Sequence, residues 1–220
     1  MKRWLIVMGC LLLPFQAQAG NGAAKMFLAG TQVAYSFPAN GVFETFTGTD
    51  NTTPPNANWT NQLNTIKILS NTAAGGTADA SNFASYATAY TTNSIELYAT
   101  VTSIGNSGDV LWLVFTNAGY SDGYVIQYTF GSGTTGVYKW TSGWIGAQIG
   151  SNLNQVVSAG GSIGFSRTGS TIKVYYKASG GSWGQLGSDF TDASYTDMTK
   201  FSINIYGTLM RIDNVGGGGI

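Results

Sequence analysis

The sequence predicts an all-β protein, a two-sheet antiparallel β-sandwich, on three observations. Composition is the first. Gly accounts for 31 of 220 residues, aromatics for 13%, and charged residues for only 9%. Few Glu, Lys and Arg, with many Thr, Tyr, Val and Ile, favour strands joined by glycine-rich turns over helices. Second, several runs alternate with period two, as a pleated strand with one inward face does. Third, turn signals recur roughly every ten residues, the spacing of an antiparallel sandwich or barrel.

At the N-terminus, Lys2 and Arg3, the apolar stretch Trp4 to Phe15, and Ala17-Gln18-Ala19 before Gly20 make the three parts of a secretory signal peptide. The apolar stretch falls short of the roughly 20 residues that cross a bilayer, so no transmembrane segment is expected there. Cys10, the one cysteine, leaves with the leader if cleavage follows Ala19, whereas a lipid-attachment reading would keep it. Without it no disulfide can form, in a compartment that permits one. The expected organisation is a signal peptide over 1–19, an N-terminal segment over 20–39, one sandwich domain over 40–216, and a flexible tail over 217–220. The expected location is secreted, extracellular or periplasmic.

Within the domain, Ile95, Leu97, Ala99 and Val101 point one way, against Glu96, Tyr98, Thr100 and Thr102. Tyr124, Ile126, Tyr128 and Phe130 share a face, as do Ile172, Val174 and Tyr176, and Phe201, Ile203 and Ile205. Val110 to Phe115 is continuously apolar, which predicts a central strand covered on both faces. Glycine-rich turns separate these runs, among them Ser121-Asp122-Gly123 and Thr168-Gly169-Ser170. Asp192 to Lys200 is the one stretch read as holding a short turn of helix.

Charge and missing residue types exclude several functions. Ten basic and ten acidic residues become eight against ten once Lys2 and Arg3 are removed, a net of −2. No basic face is available for phosphates, so nucleic acid is not an expected partner. The chain has no histidine. That removes Ser-His and Cys-His catalysis and makes zinc or redox metals poor candidates.

Several segments, taken in order, resemble bacterial and phage domains of the concanavalin A-like, laminin-G-like jelly-roll superfamily. They are Phe43-Glu44-Thr45-Phe46 with Asn56-Ala57-Asn58-Trp59, then Val110 to Phe115 with Gly123 to Tyr128, then Ser170 to Tyr175. The closing segments are Ile205-Tyr206-Gly207 and Arg211-Ile212-Asp213-Asn214-Val215. The resemblance spans about residues 40 to 216 and implies a jelly-roll sandwich that binds sugars or proteins. Galactose-binding-like jelly rolls share the alternating strands and the Ile-Asp-Asn-Val ending.

The resemblance also frames the chemistry. Retaining glucanases of this superfamily carry an E-x-D-x-E-like pattern on one strand, and glycosidases need two carboxylates facing one bond. Acidic residues here are isolated, so the enzyme reading is the weaker one. The resemblance implies a structural calcium tying the start of the domain to its last strand. Glu44 and Asp213 match those places, with Asp50 as an added loop ligand. The alternative makes Glu44 and Asp213 rim residues that pair with Arg211 or Lys67.

Aromatics are the strongest functional clue. Trp140, Trp144, Tyr120 and Trp183 fall in or near turns, where their rings suit the apolar C–H faces of sugars. Trp140 and Trp144 flank Ser142-Gly143, at a hairpin tip or in the core. The expected function is a secreted, non-catalytic carbohydrate-binding, lectin-like module with a glycan or cell-surface polysaccharide as partner. The alternative is a structural or adhesive surface protein of a bacterial envelope or phage particle. That reading adds a protein partner or self-association, through the segment Ala23 to Phe37.

Overall fold

A computed structural model describes residues 35–90 and 94–220. The stretch 1–19 expected as a signal peptide, with Cys10, and most of the segment Ala23 to Phe37 lie outside the described residues. Fifteen strands follow in chain order: β1 (Val42–Glu44), β2 (Trp59–Leu63), β3 (Ile66–Ile68), β4 (Ala73–Gly75), β5 (Ser81–Tyr86), β6 (Ile95–Ser103), β7 (Val110–Thr116), β8 (Gly123–Thr129), β9 (Thr134–Thr141), β10 (Trp144–Asn154), β11 (Ser162–Thr168), β12 (Thr171–Lys177), β13 (Trp183–Thr191), β14 (Lys200–Tyr206) and β15 (Arg211–Gly219).

They form two antiparallel sheets. One has seven strands in the order β10-β9-β8-β7-β14-β5-β2. The other runs β13-β12-β11-β6-β15-β4-β3, with β1 added on β15 as its eighth strand. This is the expected all-β sandwich.

The alternating runs explain the layers. Leu97 and Val101 of β6, with Phe165 of β11, face Leu113 of β7, Ile126 of β8 and Ile203 of β14, all buried in one core. Phe115 and Phe165 stack across the two sheets at 3.9 Å between ring centroids. β7 is central in its sheet and covered on both faces, as its unbroken apolar run predicts. Leu111, Leu113 and Phe115 enter the core. Trp112 and Val114 point outward into a second buried cluster with Phe83, Val125 and Trp140.

Two expectations change. Asp192 to Lys200 holds no helix; Asp192 to Thr199 is an irregular crossing to β14. Its backbone N–H groups are taken from outside a helical pattern. Ser194 N donates to Asp192 Oδ1, Tyr195 N to Tyr124 Oη, and Thr199 N to the Thr116 carbonyl. A helical turn would have to give up those bonds.

The glycines expected as a flexible tail are the end of β15, with Gly217, Gly218 and Gly219 opposite Leu97, Glu96 and Ile95. Here the absence of a side chain is the requirement. A Cβ on Gly216 would lie 2.2 Å from Tyr98 Oη, and one on Gly217 2.2 Å from the Glu96 carbonyl oxygen.

Residues ahead of position 40 also pack on the domain. Tyr35 Oη, Ala39 N, Asn40 N and Asn40 Nδ2 all donate to the Glu96 carboxylate, and Asn40 Nδ2 also donates to the Gly219 carbonyl. Phe37 stacks on Tyr175 at 3.9 Å. Residues 35–40 are thereby laid over the outer face of the eight-stranded sheet.

Candidate functional site

The second cluster floors a cavity of about 530 Å³ on the outer face of the seven-stranded sheet. That size lies within the roughly 300–1,000 Å³ of small-molecule sites. Phe83 of β5, Trp112 of β7 and Trp140 of β9 line it, and Trp144, at the start of β10, stands at its rim. Gln62 and Leu63 close one side, from the edge strand β2.

Local sequence explains the placement. Ser142 and Gly143, with φ of 53° and 78°, make the two-residue turn between β9 and β10. Both central residues with positive φ are the hallmark of a type I′ hairpin turn. Trp140 and Trp144 therefore bracket one tight turn. The loop from β7 to β8 is fastened to that hairpin. Trp140 Nε1 donates to the Tyr120 carbonyl at 3.0 Å, and Gly143 N donates to the Ser121 carbonyl at 2.9 Å. Asn117 Oδ1 accepts the Ser121 N–H and shapes the loop from inside.

The rings are held edge to face. Trp140 meets Trp112 at 5.9 Å and 68°, and Trp112 meets Trp144 at 5.4 Å and 87°. Phe83 stacks on Trp140 at 5.2 Å. Trp140 is 1% exposed and Trp144 50%. Burial pushes the Tyr120 phenol above its ordinary value, so it stays a neutral donor and acceptor at physiological pH.

No carboxylate, amine or guanidinium is among the lining residues. The cavity thus offers flat apolar rings with amide and hydroxyl groups around them. It presents no acid and base pair across a bond.

Of the four expected sugar-binding residues, the structure brings together Tyr120, Trp140 and Trp144. Trp140 contributes as buried floor and Trp144 as exposed rim. Trp183 stands elsewhere, on the outer face of the eight-stranded sheet. There it packs against Phe37 at 4.9 Å and Tyr98 at 5.4 Å, with Lys177 Nζ 5.6 Å from its ring centroid. Its ring is already engaged by Phe37, Tyr98 and Lys177 of the same chain.

Phe83 and Trp112 were missed as site residues. The signal was present: in a strand whose odd positions fill the core, even positions as apolar as Trp112 and Val114 need a cover on the far face.

The expected calcium trio is not assembled. Among the described residues no three carboxylates, histidines or cysteines gather as a metal site. Asp50 is exposed, and its Oδ1 accepts the Ser70 N–H. Glu44 is buried rather than at the rim. Its Oε1 accepts the Phe46 N–H at 2.7 Å, and its Oε2 accepts Asn56 Nδ2 at 2.6 Å and Trp59 Nε1 at 3.0 Å.

Asp213 differs. Its Oδ1 is buried without a hydrogen-bond partner. Burial pushes its carboxyl up, the Asn214 N–H pulls it down, and the Glu44 charge adds to the rise. An orphaned carboxylate oxygen within electrostatic reach of a second carboxylate fits a hard cation. Glu44 keeps both carboxylate oxygens on protein donors, so of the expected trio only the orphaned Asp213 oxygen offers a cation an open ligand.

No protein-family model and no curated protein matches the chain. Solved structures do. The carbohydrate-binding module CBM66 from Bacillus subtilis aligns with a TM-score of 0.59 at 15% identity, over 74% of this chain and 96% of that one. The VIP36 exoplasmic/lumenal domain, in its Ca2+- and Man3GlcNAc-bound form, aligns with a TM-score of 0.61 at 10% identity, over 82% and 88%. The β-glucanase of Bacillus licheniformis aligns with a TM-score of 0.55 at 14% identity, over 83% and 99%. At such identities the likeness is one of fold, and the chain has the concanavalin A-like jelly-roll fold.

Proposed function

We propose that the protein is a secreted carbohydrate-binding, lectin-like module, and that its ligand site is the aromatic cavity on the seven-stranded sheet. One observation carries this reading. Tyr120, Trp140 and Trp144, singled out by sequence for sugar stacking, line one cavity without an ionised group. Sugar rings present apolar C–H faces, which suit indole edges and faces, and hydroxyls, which suit Gln62, Ser121 and Ser142. Two of the similar folds are a carbohydrate-binding module and a lumenal domain in a Ca2+/Man3GlcNAc-bound form. The lining without carboxylates favours binding over glycoside cleavage.

Calcium belongs to the same reading as a structural cation. Asp213 on β15 would hold it, with the Glu44 charge on β1 within electrostatic reach, where the first strand of the domain meets the last.

The test is a glycan array probed with the exported protein, with and without calcium. Binding to a defined set of glycans is expected. Binding to none of them, at protein concentrations where the fold is intact by circular dichroism, would sink the carbohydrate reading.

A further inference from the structure

Beneath the aromatic floor lies an amide that the protein leaves unsatisfied. Asn204 of β14 is in register with Phe83 of β5 on one side and Trp112 of β7 on the other. Both neighbours line the cavity. Directly opposed residues on antiparallel strands share a face of the sheet, so the Asn204 side chain stands on the cavity face. It is fully buried, and neither Oδ1 nor Nδ2 has a hydrogen-bond partner. Two residues earlier, on the same face, Ser202 is satisfied by a 2.9 Å hydrogen bond with Ser85.

A buried amide without partners destabilises a fold, and replacing it with an apolar group of the same shape is neutral or stabilising. Local rules broken in this way concentrate at functional sites.

The three rings around the amide are held differently. Trp112 Nε1 donates to Gln127 Oε1 at 2.9 Å, and Trp140 Nε1 donates to the Tyr120 carbonyl. Both indoles are pinned by a polar bond. Phe83 has no polar atom to pin it, and its register partner on β2, Leu63, is 43% exposed. Of these rings, Phe83 alone can rotate without breaking a hydrogen bond. Phe83 and Trp112, its two register neighbours, line the cavity on either side of the Asn204 amide.

We infer that Asn204 is the polar anchor of the cavity and sets its ligand class. That class is a pyranose with two adjacent hydroxyls, one donating to Oδ1 and the other accepting from Nδ2. The apolar face of the ring lies against Trp140. A single amide presents one acceptor and one donor side by side, which is the complement of a vicinal diol. The inference rests on the carbohydrate reading of the cavity and names what that reading leaves open.

The experiment compares the exported wild-type protein with Asn204→Leu. Each is titrated with the strongest-binding oligosaccharide from the array and with deoxy analogues lacking either hydroxyl of the pair. The wild-type Asn204 side-chain amide resonances are followed by NMR during the same titration. Three results are expected. Asn204→Leu binds at least tenfold more weakly while its thermal midpoint stays level or rises, each deoxy analogue loses a comparable factor on the wild type, and the Asn204 resonances move. Equal binding by wild type and variant overturns the anchor and leaves the carbohydrate reading standing. Amide resonances unmoved by a bound glycan do the same, whether or not the variant folds. Wild-type protein that binds no glycan overturns the carbohydrate reading and the anchor with it.

Discussion

Trp140 and Trp144 stand four residues apart on one hairpin and meet different fates. Trp140 has Phe83 stacked on it from β5, a strand distant in sequence, and its N–H is spent on the Tyr120 carbonyl. Trp144 meets Trp112 at 5.4 Å and 87° and is half exposed. Removing each ring should therefore separate stability from binding. Trp140→Ala deletes a buried indole and is expected to destabilise by about 3–5 kcal/mol. Trp144→Ala removes a rim ring, as a surface change away from the core does, and should alter stability by less than about 1 kcal/mol. Its binding loss should exceed about 1 kcal/mol, as exposed aromatic anchors of a site do. Urea unfolding and glycan titration of both variants check this. A Trp144→Ala protein that binds like wild type would remove the rim from the site. The sequence could not separate the two indoles. Their difference is made by Phe83, whose approach depends on how the sheet brings β5 and β9 together.

Strands differ in how far their own residues announce them. β6, β8, β12 and β14 are legible because apolar residues alternate along them, and β7 because its apolar run is unbroken. β10 and β13 are long but mostly exposed edge strands, so burial imposes no period on them. The end of β15 is the least legible element. Four glycines look like a fraying tail, yet Gly216 and Gly217 are required by crowding from Tyr98 and Glu96, which lie far back in the chain. A comparison of two glycines tests this. Gly217 has φ +145° and would push a Cβ against a backbone oxygen, whereas Gly180 has φ +70° and open space around it. Gly180→Ala should cost about 1–2 kcal/mol, the penalty of a side chain at positive φ. Gly217→Ala should cost more, about 2–4 kcal/mol, because the backbone of β6 cannot move aside. Thermal unfolding of the two variants measures the difference, and equal losses would show that crowding by β6 is unimportant.

At the scale of the whole molecule, the first and last strands meet on the eight-stranded sheet, where β1 pairs with β15 and brings Glu44 opposite Val215. In the reading proposed here, calcium sits at that junction, and pH supplies the test. Asp213 is held above its ordinary value, chiefly by burial and further by the Glu44 charge. A carboxyl raised on folding makes the native state bind more protons than the unfolded one between the two values, so in that window stability rises as pH falls. Above the window the ionised Asp213 is a standing penalty unless a cation joins it. Without calcium, Asp213→Asn should therefore be as stable as wild type or more stable at neutral pH, and the advantage should fade as pH falls towards the unfolded carboxylate value of about 3.9. Calcium needs the ionised carboxylates, so its effect should run the opposite way. At a hundredfold excess over Kd a single site adds about 2.7 kcal/mol, or roughly 5–10 °C in the midpoint of a domain of this size. That rise should be largest at neutral pH, vanish in acid, and be missing from Asp213→Asn. Calorimetric scans of both proteins in calcium and in chelator, from neutral pH to about pH 4, read all three effects against the carboxylate range. An Asp213→Asn protein that gains as much from calcium as wild type would place any calcium elsewhere and leave the junction held by β1–β15 pairing alone.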